Sequence, residues 1–324
     1  MNSVNNRINK SAIDVSIIVI NYNTCDLLRD CLQSVVRVST PKEIIVIDNA
    51  STDGSVQMVK IEFPEVLLHV NNKNERFAKP NNTAMKIAKG RYYFLLNSDA
   101  TIFPDTLDVL LNYMETHPDV GICAPQLIYP DGSIQPSCRG FITLWTHFCD
   151  MLVLDRIFPK SKIFAKSEMT YFDHRSDKEV DHVMAAAILI KREAVVGAGM
   201  FDENLSINYN DLDLSYRIKQ KGWKIVFFPE AQVIHHHSKT TKMMNTQFEL
   251  FLELYSNVFY YFKKHYGKYS VVLYKLFMII GFSLRTVFWF FRSIVDSSEN
   301  TKYLLRFSWK SLVIAFPIWR IETL

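Results

Sequence analysis

The feature that most restricts how this chain can fold is a recurring unit: a short unbroken apolar run that empties into a polar loop and then into a helix-like segment. Val15 to Ile20 runs into Asn21, Tyr22 and Asn23, and Glu43 to Ile47 runs into Asp48. Val66 to Val70 is a third strand-like segment, and the unbroken run Tyr92 to Leu96 empties into Asn97, Ser98 and Asp99. Continuous rather than alternating hydrophobicity predicts strands buried on both faces. Between them, Asp26 to Val38 carries Leu27, Leu28, Cys31, Leu32, Val35 and Val36 on one helical face. A second helix is expected through Val56 and Val59 after the turn residues Thr52, Asp53 and Gly54. A third is expected from Asn81 to Lys89, stopped by Gly90 as a C-terminal cap. Strand and helix alternating in this way predict an α/β fold, a doubly wound and mostly parallel sheet.

Farther on, the pattern predicts a helix over 104–117, a strand over 121–127 and another over 183–190. The stretch 131–181 lacks periodicity and reads as loops and short helices covering a site. A helix over 212–220 and a strand over 224–228 follow, then a separate strand-like run at 231–234. A length of 324 residues accommodates one large domain with an appendage, or two domains. The expected division is a polar tail at 1–14, the α/β domain at 15–247 and a C-terminal helical extension at 248–324.

That extension differs in chemistry from the rest. Residues 251–324 hold ten Lys/Arg against four Asp/Glu, and 20 of the 43 aromatic residues. Val271 to Phe291 is apolar, yet Lys275 and Arg285 leave only nine uninterrupted apolar positions between them. A spanning helix wants about 20. The expectation is therefore a basic, aromatic, amphipathic segment lying among lipid headgroups, a membrane-associating extension; the alternative is a helical subdomain or dimer surface. The five cysteines are odd in number and form no C-x-x-C pair, which fits a reduced compartment. The first fourteen residues are polar and 15–20 is too short for a signal core, so a cytoplasmic location is expected. A net charge of +4 gives no case for nucleic acid.

Acidic and histidine-bearing stretches sit where the strand runs end, at the rim where open α/β sheets bind ligands. Asp48 ends a buried run, which is costly unless the rim uses it, and hydrogen bonding to a nucleoside base or ribose would do so. For neighbouring Asp53 a helix cap is the simpler reading. Asp99 could hold Mg²⁺ or Mn²⁺, which take oxygen ligands and bridge substrate phosphates; a loop cap with Thr101 competes. Asp211 precedes an amphipathic helix, a good station for a general base. Asp213 and Arg217 read as a routine i, i+4 surface pair. The run His235 to His237 could add an imidazole to the metal beside Asp99. No H-E-x-x-H, G-x-G-x-x-G or G-x-x-x-x-G-K is present, which argues against zinc hydrolase, dinucleotide and P-loop chemistry.

Taken together, V-S-I-I-V-I-N-Y-N, E-I-I-V-I-D-N-A-S-T-D-G-S, F-L-L-N-S-D, G-M-F-D-E (199–203), N-D-L-D-L-S-Y-R and P-E-A-Q-V-I-H-H resemble the family 2 glycosyltransferases of GT-A fold, in particular their bacterial rhamnosyltransferase-like branch. The likeness runs from Val15 to about Gly267, where Y-F-K-K-H-Y-G resembles the stretch that often follows. It implies that Tyr22 lines a base pocket, that Asp48 contacts base or ribose and that Asp99 holds the metal. It also implies that Asp211 is the catalytic base and His235 a metal ligand. Three departures stand out. Arg76 replaces a glycine, with Lys79 and Pro80 before Asn81 and Asn82, so that Arg76 and Lys79 either add charge beside a diphosphate or face solvent. Asn97 replaces the first acid of a DxD element. Asn210 replaces a glutamate beside the base.

The implied function is an inverting, nucleotide-sugar-dependent hexosyl transfer, from dTDP-L-rhamnose in the most similar branch. The implied acceptor is a lipid-linked saccharide at the cytoplasmic face of the bacterial inner membrane, in O-antigen, capsule or wall synthesis. Tyr22, Asp48, Arg76, Asn97 and Asp99 are the expected donor contacts, Asp99 and His235 the metal ligands. Two alternatives remain at this point: a non-catalytic sugar-nucleotide or glycan binder on the same fold, and a magnesium-dependent nucleotidyltransferase.

Overall fold

The protein is described from a computed structural model covering residues 13–205, 209–236 and 247–315, the last without the side chains of 247–252. In chain order the elements are β1 (Val15–Asn21), α1 (Cys25–Val36), β2 (Lys42–Asp48), α2 (Ser55–Glu62), β3 (Leu67–Val70), α3 (Ala78–Ile87), β4 (Tyr92–Asn97), β5 (Ala100–Ile102), α4 (Thr106–Thr116) and β6 (Val120–Ile128). There follow β7 (Ile134–Gln135), β8 (Cys138–Arg139), α5 (Leu144–Met151), α6 (Leu154–Ile157), β9 (Lys178–Glu179), β10 (His182–Val183), β11 (Ala187–Lys191) and α7 (Arg192–Ala198). The chain continues through α8 (Asn210–Gln220), β12 (Lys224–His235), α9 (Gln247–Tyr266), α10 (Lys268–Val295) and α11 (Glu299–Ala315).

The main sheet runs β3-β2-β1-β4-β11-β6-β12-β5, with β7 beside β6 and β9 beside β12. β1, β2, β3 and β4 pair in parallel, and so do β6 and β12, whereas β11 is antiparallel to both its neighbours. The mostly parallel, doubly wound sheet read from the sequence is the one observed. Val15, Ile17 and Val19 face one apolar layer and Ile18 the other, which is why β1 must be hydrophobic throughout.

Four local expectations are corrected. The C-cap of α3 is Ala88, not Gly90. Gly90 is needed for close approach: a Cβ there would lie 2.4 Å from the backbone nitrogen of Ser16. The run 183–190 divides into β10 and β11, with 184–186 crossing between them. The runs at 224–228 and 231–234 form one strand, β12, whose register against β6 shifts between Phe228 and Gln232. Pro229 and Glu230 fall in that shift, the place a sheet tolerates proline.

The fourth correction concerns Asp213, whose side chain is 0% exposed and so belongs to no surface pair. It accepts from Arg217 on its own helix and, at 2.7 Å each, from Lys264 and His265 of α9. Lys264 also reaches Asp202 at 2.7 Å. Burial alone would raise the Asp213 carboxyl, but hydrogen bonds from His265 and Lys264 outweigh it and hold the group below its usual value. Asp202 is likewise pushed up by burial and brought down by Lys264, Asn204 and Tyr260, to about 2. α9 is thereby clamped onto α8 and the 199–205 loop, and Leu212 joins the apolar cluster of α9 and α10. A boundary at 248 separates Asp213 from two of its three cations.

Both carboxyls have folded values below their unfolded ones, so their stabilisation is fully present above the unfolded value and is lost as pH falls through the folded ones, about 2 for Asp202. Asp213→Asn is expected to lower the thermal midpoint near neutrality, since breaking a buried pair costs about 3–5 kcal/mol. It should also flatten the acid limb of a midpoint-against-pH curve. An acid limb as steep as that of the unsubstituted protein would show that the cluster carries no such linkage.

Candidate active site

Because β1, β2 and β4 are parallel, their C-terminal ends share one sheet edge. The register sets Asn21 beside Asp48, and Ile20 beside Asn97. The connecting loops there are strained. Asn23, Ala50, Arg76 and Tyr209 have φ between 53° and 66°, a left-handed conformation that costs a non-glycine residue roughly 1–2 kcal/mol. Side-chain hydrogen bonds hold several of these loops. Asp48 is 1% exposed and accepts from Asn21 Nδ2 at 2.7 Å and from the Ser51 backbone at 2.8 Å. Its first task is thus to shape the loop after β2; any nucleoside contact must use the remaining acceptor positions of the carboxylate. Asn49 binds the Arg76 carbonyl and the Asn71 amide, tying the loop after β3 to the loop after β2. Asp53 accepts from Ser55 and from the first amide of α1; the N-cap of α2 itself is Gly54, with no side-chain cap bond, so Asp53 serves the distant helix α1 rather than capping the helix that follows it.

From β1 the polar chain continues across the rim. Thr24 donates to Asn21 Oδ1 at 2.7 Å and lies 2.9 Å from the Ser98 hydroxyl. Next to Ser98, Asp99 is 8% exposed, and its Oδ1 stands 3.3 Å from His235 Nε2. Asn97 Nδ2 is also 3.3 Å from that nitrogen. Burial pushes the Asp99 carboxyl up; with a proton on His235 Nε2, the hydrogen bond and charge of the ring more than reverse this and leave the carboxyl below the usual range. On its other side His235 Nδ1 meets Gln135 Oε1 at 2.8 Å. An amide oxygen only accepts, so Nδ1 carries the proton and the lone pair of a neutral ring is at Nε2, toward Asp99 and Asn97. His236 contributes its backbone amide to the Asp99 carbonyl, and His237 lies outside the described residues.

This donor set fits a divalent cation of the magnesium type. A carboxylate oxygen and an imidazole lone pair face one another, which is unfavourable unless a proton or a cation lies between them. Among the described residues no group of three or more His, Cys, Asp or Glu side chains forms a cage. Such ions are commonly held by one or two protein groups together with substrate phosphates and water.

Asp211 reaches the same rim by another route. Its Oδ2 accepts from the Ala185 backbone at 3.3 Å and its Oδ1 from Leu212 at 2.9 Å. The adjacent carbonyl, of Ala186, accepts from the Asn97 backbone at 2.8 Å. Two consecutive alanines therefore bridge the end of β4 to the start of α8. Asp211 is half-buried, while Asn210 is buried and spent on the Leu205 carbonyl. His182 lies near enough to sense the Asp211 charge; burial nevertheless keeps its ring below the usual imidazole value.

The Glycosyl transferase family 2 model matches residues 16–194, more than half of the chain. This protein is a family 2 glycosyltransferase. Over 212 residues it is 26% identical to the N-acetylglucosaminyl-diphospho-decaprenol L-rhamnosyltransferase of Mycobacterium tuberculosis, covering 62% of this chain and 68% of that protein. It is 26% identical over 234 residues to the O-antigen biosynthesis protein RfbC of Myxococcus xanthus, covering 70% of this chain but only 18% of the other. Among solved structures, the mannosyltransferase PcManGT of Pyrobaculum calidifontis, in complex with GDP-Man and Mn²⁺, superposes with a TM-score of 0.55 at 15% identity, over 94% of this chain and 86% of that one. S. aureus TarS 1–349, in complex with UDP-GlcNAc, gives 0.54 at 16%, over 95% and 82%. These likenesses establish the GT-A fold.

In this glycosyltransferase the remaining sequence candidates are placed as follows. Tyr22 is half-buried just past β1. Arg76 is 43% exposed, with its guanidinium 3.6 Å from Glu253 of α9, and Lys79 is exposed and paired with Glu75 in the loop before α3. Of the two cations weighed for a diphosphate, Lys79 thus takes the solvent-facing option. Gln135, Thr24 and the α9 pair Lys264–His265 were not singled out in the sequence. Gln135 sits in a two-residue strand within the aperiodic stretch, and only the fold sets it behind His235.

Gln135→Leu removes the acceptor for Nδ1–H. In ¹⁵N-edited spectra of the imidazole, the His235 ring should then pass from a fixed Nδ1–H form to a mixture of tautomers. A spectrum unchanged by the substitution would show that something other than Gln135 sets the ring.

Proposed function

We propose that this glycosyltransferase transfers a hexose, L-rhamnose from dTDP-L-rhamnose, onto a hydroxyl of a lipid-linked saccharide with inversion, in bacterial surface-polysaccharide synthesis. The observation that carries the reading is the alanine bridge. Asp211 and the Asn97–Asp99 end of β4 hang on neighbouring backbone groups, so a base and a diphosphate site share one rim. The donor assignment is supported by the rhamnosyltransferase of M. tuberculosis, whose name also specifies a diphospho-decaprenol-linked acceptor. A lipid-linked acceptor puts the reaction at a membrane face, and the reading here is peripheral attachment on the cytoplasmic side of the inner membrane.

In this mechanism Asp211 takes the proton from the acceptor hydroxyl as that oxygen attacks the anomeric carbon from the side opposite the leaving nucleoside diphosphate. The Ala185 and Leu212 amides fix the carboxylate so that a free lone pair meets the incoming hydroxyl. Tyr22, Asp48 and the β2 loop hold the nucleoside, and Asn97 and Arg76 flank the diphosphate. Asp99 and His235 would hold Mg²⁺ or Mn²⁺, which when bound would offset the charge developing on the leaving group. No covalent enzyme nucleophile is required.

The decisive assay measures nucleoside diphosphate release from a panel of dTDP-, UDP- and GDP-sugars with lipid-linked acceptors, with and without chelator. Release from dTDP-L-rhamnose that disappears on chelation is expected; pyrophosphate from a nucleoside triphosphate would instead indicate a nucleotidyltransferase. Asp211→Asn should reduce turnover about 10²- to 10⁴-fold while donor affinity persists. Near-normal turnover in that variant removes Asp211 from the base role. Asp99→Asn should weaken Mn²⁺ binding, read by electron paramagnetic resonance without any acceptor present.

A further inference from the structure

The helix α10 has two surfaces of opposite character. One face of its first half packs into the protein: Val271, Tyr274, Met278 and Phe282 are all buried, within 4% exposure, while Tyr269, Leu273, Leu276 and Ile280 on the other face are 38–74% exposed. A Cβ on Gly281 would lie 2.9 Å from the Met151 Cβ and carbonyl oxygen, so α10 is seated tightly on α5. Beyond Phe282 the burial stops. Leu284, Val287, Phe288, Phe291, Ile294 and Val295 repeat at helical spacing and are 55–84% exposed. An apolar stripe of this kind facing water is unfavourable by roughly 1.5–3 kcal/mol per large side chain relative to burial.

α11 lies along α10. It buries Thr301, Ser308, Ser311 and Ala315 and packs Phe307, Leu312 and Ile314 partly against the cluster of α9 and α10, yet it also turns Tyr303, Trp309 and Val313 outward. A soluble amphipathic helix keeps large apolar side chains off its outer face. Small residues at the helix contact and large apolar ones outside are the arrangement of helices that associate in lipid. The Ser308 and Ser311 hydroxyls donate to the Leu304 and Phe307 carbonyls of their own helix, so neither needs water at that contact.

Charge completes the pattern. Arg292, Arg306 and Lys310 interleave with the outward apolar side chains, while the two acids of the turn, Asp296 and Glu299, each lie beside a basic partner, Arg292 and Lys302. We propose that the α10–α11 hairpin is the membrane-docking surface of this protein, with the apolar side chains of 284–295 in the hydrocarbon of one leaflet and the cations at anionic headgroups. The part of α10 in which no residue is buried, 283–295, is ~20 Å long at 1.5 Å per residue. That is short of the ~30 Å hydrocarbon core, and the first half, packed along one face on α5 and α9, cannot leave the protein to supply the rest. By length and apolarity alone α10 could cross a bilayer; its packing makes it dip instead. A second copy of the chain fits the surface less well, because a two-fold contact would set the cationic stripe of α11 against itself.

This docking mode sharpens the membrane-face reading given above, and its test needs neither donor nor acceptor, so it stands or fails apart from glycosyl transfer. The full-length chain is floated with phosphatidylcholine vesicles, with or without phosphatidylglycerol. It is expected to rise with the anionic vesicles and more weakly with the neutral ones. The double substitution Phe288→Ser and Phe291→Ser should weaken partitioning on the order of a hundredfold, as loss of two buried aromatic side chains implies, with an unchanged melting curve. Arg306→Glu with Lys310→Glu should abolish the preference for phosphatidylglycerol. Flotation that survives the phenylalanine substitutions overturns the proposal. So does a full-length chain that rises with neither vesicle, or a lipid-free dimer that the same substitutions dissociate.

Discussion

Parallel pairing of β1, β2 and β4 is the constraint on which the site depends. Parallel strands end on the same edge, so three polar termini that are far apart in sequence must meet there whatever the loops do. What pairing cannot do is satisfy those termini. Asp48 and Asn21 are buried at the edge and solve the problem mutually, each occupying the other, with Ser51 and Thr24 taking the remaining bonds. The left-handed residues at 23, 50, 76 and 209 are the cost of turning four loops sharply enough to leave that edge open.

A second layer of organisation lies outside the sheet. Asp211 could not be placed by the sheet alone, since α8 follows a loop rather than a strand of the parallel half. It is fixed from behind, by Asp213 two residues on. Three donors, Arg217, Lys264 and His265, converge on that buried carboxylate, and two of them come from α9. Removing Arg217 or Lys264 takes a compensating charge from a dry environment, so the cluster resists the small shifts that would carry Asp211 off its alanine bridge. The C-terminal helices thus serve the catalytic body first.

Most of the sheet was legible in the sequence because a strand buried on both faces has nowhere to put a polar residue, and runs such as Ile44–Ile47 announce themselves. The rim aspartates were legible for the converse reason, as charges at the ends of such runs. Helix termini and short strands were not. Gly90 reads as a cap from its neighbours, and only the approach of Ser16 reveals another cause. Asp213 reads as half of a surface pair because i, i+4 spacing says nothing about a helix fifty residues later. Gln135 carries no local signal at all. Arg76 was visible as a departure from the family pattern, and its positive φ shows why glycine is the simpler occupant of that turn.

The outward apolar side chains of α10 and α11 give the proposed docking surface a consequence for the reaction. α10 is wedged against α5, and α9 is bolted to α8, so the proposed lipid-facing hairpin connects to Asp211 through packed helices and a buried ion cluster rather than through a flexible linker. Attachment by a loose tether would raise the local concentration of a lipid-linked acceptor while leaving its direction of approach random. Attachment through a rigid foot also fixes the height and tilt of the sheet rim above the bilayer. In the proposed mechanism the attacking hydroxyl must meet both Asp211 and the anomeric carbon, and reactions of that kind gain most from orientation. On that reading, buried serines on one helix and a clamp on another serve a single end, the proposed base held at a set distance from the membrane that would carry its acceptor.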